Sequence, residues 1–354
     1  MQCAWAGFIF RGFRLPKLHT FLNARPIPVY LPVLPLAAVP SFAHGSLQSA
    51  FDPKGRGAAE IAEMMWMLFI GGGAIFIGVM GLAAMALFGS AAQRNMLARE
   101  KLILGGGILF PIVVLSALLV YTFAAGTGRA DGGEPPQARI EVTGELWWWR
   151  VRYLSVNGHV AFETANEIRI PAGKPTEVLL KSGNVIHSFW VPNLAGKIDM
   201  IPGHVNRLRL HADKPGVFRG QCAEYCGAQH ARMALHVIAQ EPAEYDAWTN
   251  SQRLAAAVPD DPVLLRGRQL FLDNRCGLCH TVRGISAAGQ LGPDLTHVGS
   301  RHSLGGGILP NNSGTIAGWI SGSQQIKPGN RMPSFNQFSG DELRALSTYL
   351  ASLQ

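Results

Sequence analysis

Residues 221–233 read QCAEYCGAQHARM and place two cysteines, a histidine and a methionine within thirteen residues. Four soft donors so close together suit a disulfide, a zinc clip, a redox dithiol or a copper centre. A bridge between Cys222 and Cys226 would close a loop of three intervening residues and leave His230 and Met233 without a use. Zinc rarely accepts a thioether, so Met233 weighs against it. Copper accepts thiolate, imidazole and a weak thioether together on β-sandwich scaffolds. The choice depends on the side of a membrane on which the stretch lies, and the chain before it decides that.

Three apolar segments lie near the front of this 354-residue chain. In residues 1–43, Arg11, Arg14, Lys17 and Arg25 precede IPVYLPVLPLAAVP, and SFA follows with small residues at Ser41 and Ala43. That order predicts a secretory signal peptide cut after Ala43, because prolines interrupt the short run and disfavour a third spanning helix. Residues 64–88 and 102–125 carry no charged side chain over 25 and 24 residues. At about 1.5 Å per residue each reaches across a hydrocarbon core of about 30 Å. They predict a transmembrane hairpin within 44–128, with helices at about 61–88 and 102–125, Pro111 being tolerated in the second. The connecting loop GSAAQRNMLAREK carries Arg94, Arg99 and Lys101, which places it in the cytoplasm. A cleaved signal gives the same orientation. Both termini and everything after residue 126 are therefore expected outside the cytoplasm.

The exported part divides by composition. ARIEVTGELWWWRVRYL, EIRIPAGKPTEVLLKSG, VNRLRLHAD and MALHVIAQ are short β-branched or alternating runs, and they predict a small antiparallel sandwich or barrel over 129–250. SQRLAAAVPDDP turns to Ala, Pro and Asp and predicts a linker over 251–261. Beyond it PVLLRGRQLFLDN, GTIAGWISGS and SGDELRALSTYLASL have helical spacing, with Ser339 and Glu342 set for a capping box, so 262–354 is expected to be a small α domain. The formal charge of +8 loses four basic residues with the signal. Residues 141–250 are neutral by count, with eleven basic and eleven acidic side chains, and 262–354 carry eight against four. That is too little to suggest nucleic acid, and enough to bias docking with an acidic patch.

A pair of thiolates able to bridge two metals needs a second imidazole, and NVIHSFWVP supplies His187 just after an expected strand, 35 residues before Cys222. The pattern C-x-E-x-C-x3-H-x2-M with an upstream histidine resembles the binuclear copper A site of cytochrome c oxidase subunit II. The resemblance covers residues 45–250 and includes the hairpin and the phrases IDMIPG and PGVFRGQC. It implies a cupredoxin-like Greek-key barrel and six ligand positions: His187, Cys222, Glu224 through its backbone carbonyl, Cys226, His230 and Met233. It also implies that the Glu224 side chain reaches a magnesium ion at the boundary with the catalytic subunit, where Asp199 also lies. The plainer alternative for both is an ordinary solvated carboxylate. Of three consecutive tryptophans, alternation puts Trp147 and Trp149 on one face and Trp148 on the other. Sandwich core is the plain reading of such residues. The resemblance makes Trp147 the place where electrons enter from a docked cytochrome.

RCGLCHTV contains C-x-x-C-H, the attachment sequence for a c-type haem. Cys276 and Cys279 would form the thioethers and His280 would be the proximal ligand. Met332 in GNRMPSF is the only methionine after residue 233 and is the expected sixth ligand, with His297 and His302 as competitors. Residues 262–354 resemble class I cytochrome c, which implies that the Pro293 carbonyl holds the proton on the far nitrogen of His280.

The fold expected is thus a membrane α-helical hairpin, an all-β cupredoxin-like barrel and an all-α cytochrome c domain. The resemblance implies a subunit of a proton-translocating oxidase of the caa type. It would take electrons from cytochrome c or a cytochrome bc complex through haem c and copper A to a catalytic subunit I, assembled with subunit III, that reduces oxygen to water. Two other readings stay open: electron delivery to a copper A nitric oxide reductase, and a stand-alone carrier or copper-delivery protein, for which the hairpin is unnecessary. The stretch from Leu102 to Leu109 is apolar and Glu100 precedes Pro111 by eleven residues, further than the proton-path glutamate of many relatives; Glu60 and Glu63 are weaker candidates.

Overall fold

The structure, a computed structural model, describes residues 48–126, 134–286 and 289–354. The expected signal peptide and its cut after Ala43 lie outside the described residues.

Helix α1 (Arg56–Phe88) and the rod built from α3 (Glu100–Leu104), a π-helical turn (Gly105–Leu109) and α4 (Phe110–Gly126) are long and apolar enough to cross a membrane. The expected pair of helices is borne out, and the apolar faces stand exposed along both rods as lipid requires. Two differences have local causes. The connection read as a loop contains α2 (Ala91–Leu97), opened by a capping box in which Ser90 and Gln93 satisfy each other's backbone N–H groups. Helix α1 starts about five residues earlier than expected, because its first turns rest on the β domain. Ala58 and Ala62 are buried there, and the Ala58 N–H donates to Leu194 O at 3.1 Å. Glu60 and Glu63 lie in those turns, and Glu100 opens the second rod.

The next domain is two five-stranded sheets packed face to face. One holds β1 (Ala138–Glu145), β2 (Trp148–Leu154), β3 (Val160–Ala165), β5 (Thr176–Ser182) and β8 (Asn206–Leu210) in the order β3-β2-β1-β5-β8. The other holds β4 (Glu167–Pro171), β6 (His187–Trp190), β7 (Ile198–Met200), β9 (Gly216–Cys222) and β10 (Ala234–Gln240) in the order β4-β10-β9-β6-β7. Alternating inward residues such as Ile140, Val142, Trp149, Val151, Ile168, Leu180, Phe189 and Val237 fill the space between them. The sheets are not wholly antiparallel, as had been expected: β1 pairs parallel with β5, and β4 with β10. Alternation reports which face a residue takes and is silent on strand direction. Helix α5 (Pro242–Gln252) closes the domain and places Trp248 against Tyr153 and Phe162.

The last domain is built on α6 (Pro262–Asp273), α7 (Ser313–Ile326) and α8 (Gly340–Ser352), with a short hairpin of β11 (Ser303–Leu304) and β12 (Leu309–Pro310). Helices α6 and α8 cross at Gly267, where an added Cβ would stand 2.5 Å from the Tyr349 Cβ, so the crossing requires glycine. The Ser339–Glu342 capping box opens α8 as expected.

The segment read as a linker is held against the last domain rather than free. Arg283 donates to the carbonyls of Gln252 (2.5 Å) and Leu254 (3.2 Å), and the Ala256 N–H donates to Arg283 O (2.9 Å).

Candidate copper and haem centres

Sheet order brings the first centre together. Strand β9 is flanked by β10 and β6, so Cys222, its last residue, lies beside Phe189 of β6. The loop from β9 to β10 carries the other cysteine, His230 and Met233. His187 is the first residue of β6 and not the residue after a strand, and its ring is admitted by Gly144, where a Cβ would stand 2.7 Å from it. The Cys222 and Cys226 sulfurs are 3.8 Å apart. His187 Nδ1 is 3.8 Å from the first sulfur and His230 Nδ1 is 3.6 Å from the second. Met233 Sδ lies 3.9 Å from Cys226 Sγ, and the Glu224 carbonyl 3.2 Å from Cys222 Sγ. All six residues named from the sequence thus converge on one cluster, of which His187, Cys222, Cys226 and Met233 are buried.

The thiols are poised for a metal. The hydrogen bond with Cys226 lowers the Cys222 pKa to about 3, helped by His187 against burial, while the same bond and burial push Cys226 up. Metal binding needs thiolates, and the contact between the two sulfurs favours loss of the first proton. Two sulfurs between two imidazoles, with a thioether and a carbonyl at the ends, is a donor set that fits two coppers. Outside it, the Glu224 and Asp199 carboxylates are half-exposed and meet at Lys197 Nζ, 3.9 and 3.4 Å away.

The second centre is a cavity of about 310 Å³ formed mainly by the last domain and walled on one side by Trp147 and Trp148 of the copper domain. Cys276, Cys279, His280 and Met332 line it, with Leu295, Ile316, Ile320 and Phe335 supplying an apolar wall. His280 Nδ1 lies 2.8 Å from Pro293 O, which leaves Nε2 as the free nitrogen. Burial lowers the His280 pKa, favouring the neutral ring a metal needs, and raises Cys276 to about 11. His297 and His302 are not among the lining residues. Both ring nitrogens of His297 lie within 3.1 Å of backbone carbonyls, and His302 meets His236 edge to face. The dithiol, the oriented imidazole, the thioether and the apolar cavity fit a covalent haem.

Trp147 departs from the alternation reading. Strand β1 ends at Glu145 and β2 begins at Trp148, so Trp147 sits in the turn between them, while Trp149 is fully buried core. The Trp147 indole N–H donates to Cys226 O at 2.8 Å, and the same side chain lines the haem cavity. Its ring lies against Gly227 of the copper loop on one side and Gly329 of the last domain on the other. The sequence did not show that the two domains clasp. Arg150 donates to Gln290 O (2.8 Å), Glu167 accepts the His302 N–H (2.6 Å), Gln229 donates to Pro328 O (2.8 Å), and the Ala234 N–H donates to Gly306 O (2.8 Å). Lys327 was also missed. It is buried, and burial draws its pKa down to about 7 against the raising influence of Cys226. The run Gly305–Gly307 was the available signal, since all three have φ near +64° to +80°. That turn lets backbone approach backbone, and at Gly307 a Cβ would stand 2.9 Å from the Ala234 Cβ.

Two family models match: cytochrome c oxidase subunit II, periplasmic domain, over residues 150–240, and cytochrome c over residues 264–354. The cytochrome c oxidase subunit 2 of Alkalihalophilus pseudofirmus is 35% identical over 336 residues, which cover 91% of this chain and 96% of that one. The cytochrome c oxidase subunit 2 of Bacillus subtilis is 28% identical over 70% of this chain and 72% of its own. Among solved structures, the periplasmic domain of subunit II of the Bradyrhizobium japonicum cytochrome oxidase is 32% identical, with a TM-score of 0.32, and matches 34% of this chain and 96% of that one. By its two matched domains and its near full-length relative, this chain belongs to the cytochrome c oxidase subunit II family, with a cytochrome c domain fused at its C-terminal end.

Proposed function

We propose that this chain is the electron-entry subunit of a terminal haem–copper oxidase in the bacterial inner membrane, with its copper and cytochrome domains on the periplasmic side. The cytochrome domain receives electrons from a cytochrome c or a cytochrome bc complex. The copper domain delivers them to a catalytic subunit I, assembled with subunit III, where oxygen is reduced to water. The observation that carries this reading is Trp147, which lines the haem cavity and is hydrogen-bonded to the backbone of Cys226.

Rapid one-electron exchange is the chemistry that a binuclear copper A centre and a covalent haem c supply when bound. His187, Cys222, the Glu224 carbonyl, Cys226, His230 and Met233 would hold two coppers. Cys276, Cys279, His280 and Met332 would hold the haem, and Pro293 fixes the His280 tautomer. The chain's other residues orient and shield these donors. Asn184 Oδ1 lies 3.0 Å from His187 Nε2 and keeps Nδ1 aimed at the sulfurs. Trp147 is bonded to the copper loop at Cys226 O and lines the haem cavity, so it offers a π-system between the two sets of donors. Its position under the fused domain supports an internal relay, since an external cytochrome would have to displace that domain to reach it. Glu224 and Asp199, half-exposed beside Lys197, suit a boundary with the catalytic subunit that includes magnesium.

Metal and haem analysis of the detergent-purified complex tests the reading, together with gas consumption. Two coppers and one covalent haem per chain, with oxygen uptake driven by a reduced cytochrome, are expected. Zinc or a single copper in the loop would contradict the ligand set. Consumption of nitric oxide instead of oxygen would contradict the oxidase.

A further inference from the structure

Lys327 follows α7 and is only 2% exposed, an unusual place for a lysine. Among the described residues no carboxylate lies within ion-pair distance of its ammonium. Its three N–H groups meet three backbone carbonyls instead: Trp147 O at 2.7 Å, Arg232 O at 2.8 Å and Gly305 O at 2.8 Å. An ammonium taken out of water is costly unless every donor finds an acceptor, and here every donor does.

We propose that Lys327 is a positioning residue that pins the cytochrome domain onto the copper-ligand loop and so sets the approach of the two redox sites. The inference rests on the internal relay proposed above. Two of the three carbonyls belong to the copper domain, and both adjoin the ligand set. Arg232 stands between His230 and Met233, and Trp147 is bonded through its indole to Cys226 O. The third carbonyl belongs to the glycine turn of the cytochrome domain. There Gly306 has φ +80°, and a Cβ would stand 2.8 Å from the ammonium.

On its other side Lys327 leads to Met332. Its carbonyl accepts from Asn330 Nδ2 at 2.8 Å, and Asn330 Oδ1 accepts the Met332 N–H at 2.8 Å. The residues either side of it are also gripped by the copper loop: Arg232 Nη1 donates to Ile326 O at 2.6 Å, and Gln229 to Pro328 O. A methionine could fill the volume of Lys327. Three convergent donors are needed only to fix three carbonyls from two domains at one point, and the planar fork of arginine cannot reproduce that geometry.

The test uses the purified holo-complex carrying Lys327→Met, and reads the single-turnover transfer from haem to copper beside amide exchange at Ala234, whose N–H crosses the interface. The expected result is internal transfer slowed at least tenfold and faster exchange at Ala234. Haem and copper contents should stay unchanged, as should turnover with a small reductant that reaches copper directly. A general loss of fold would move those last readings too. If the variant does not assemble, Gly306→Ala keeps the lysine while crowding its ammonium, and the same pair of changes is expected. Wild-type internal transfer, or unchanged exchange at Ala234, in a variant that holds both cofactors would overturn the proposal. Missing haem or copper in the unmodified complex would instead defeat the proposed function.

Discussion

Removing Trp147 separates packing from conduction. Truncating a fully buried tryptophan to alanine costs about 3–5 kcal/mol, and Trp147 is half-buried between Gly227 and Gly329, so Trp147→Ala forfeits about 2 kcal/mol of packing across the domain boundary. The indole bond to Cys226 O lies within the copper domain and contributes about 1 kcal/mol to holding the ring in place. The packing part, about 2 kcal/mol, is roughly a 30-fold shift of the docked equilibrium. Trp147→Phe keeps most of the ring, and with it most of the docking, and loses mainly the hydrogen bond inside the copper domain, about 1 kcal/mol. Flash-initiated internal electron transfer, read beside exchange at the Ala234 amide, separates the two effects. Transfer is expected to fall modestly in the Phe variant with the interface closed, and steeply in the Ala variant, neither losing a cofactor. Full-speed transfer in Trp147→Ala would remove this residue from the route.

Cys222→Ser should abolish the mixed-valence copper signal, whereas Met233→Leu should keep both coppers with an altered potential, because a thioether is the weakest donor of the set; redox-monitored paramagnetic resonance checks both. Met332→His should leave the haem attached and lower its potential, slowing the downhill step to copper, as an optical redox titration would read. His236 provides a pH prediction. It lies 3.2 Å from Ser303 Oγ across the interface, meets His302 edge to face and sits opposite Arg219 in the β9–β10 ladder, with Glu167 nearby. Burial, His302 and Arg219 lower its pKa, outweighing Glu167. The unfolded chain therefore binds this proton first, and stability is lost as pH falls below about 6.5, the loss being complete below the lowered value. Thermal unfolding at stepped pH should show that loss, and His236→Gln should remove part of it; an identical acid loss in the variant would refute the assignment.

The ligands were legible in the sequence and the docking was not, for one physical reason. Cys222, Cys226, His230 and Met233 are chemically distinctive and adjacent, and C-x-x-C-H is equally local, so residue type alone pointed to each centre. The clasp rests largely on backbone groups, among them the carbonyls of Trp147, Arg232, Gly305 and Pro328, which every residue carries. Only Lys327 and the triple glycine marked it. The hairpin was legible because charge is absent over its length. The early start of α1 was hidden, because Ala58 and Ala62 bury themselves against a domain more than a hundred residues away. Trp147 misled because alternation was carried through a turn, where it has no meaning.

Stopped-flow mixing of the reduced physiological donor with the oxidised complex, with haem c and copper absorbance followed separately, tests the central claim most directly. Reduction at haem c should lead reduction at copper, and deleting residues 262–354 should abolish fast copper reduction by that donor while sparing turnover with small reductants. Copper reduction that precedes haem reduction, or that persists at full rate in the truncated chain, would contradict the relay.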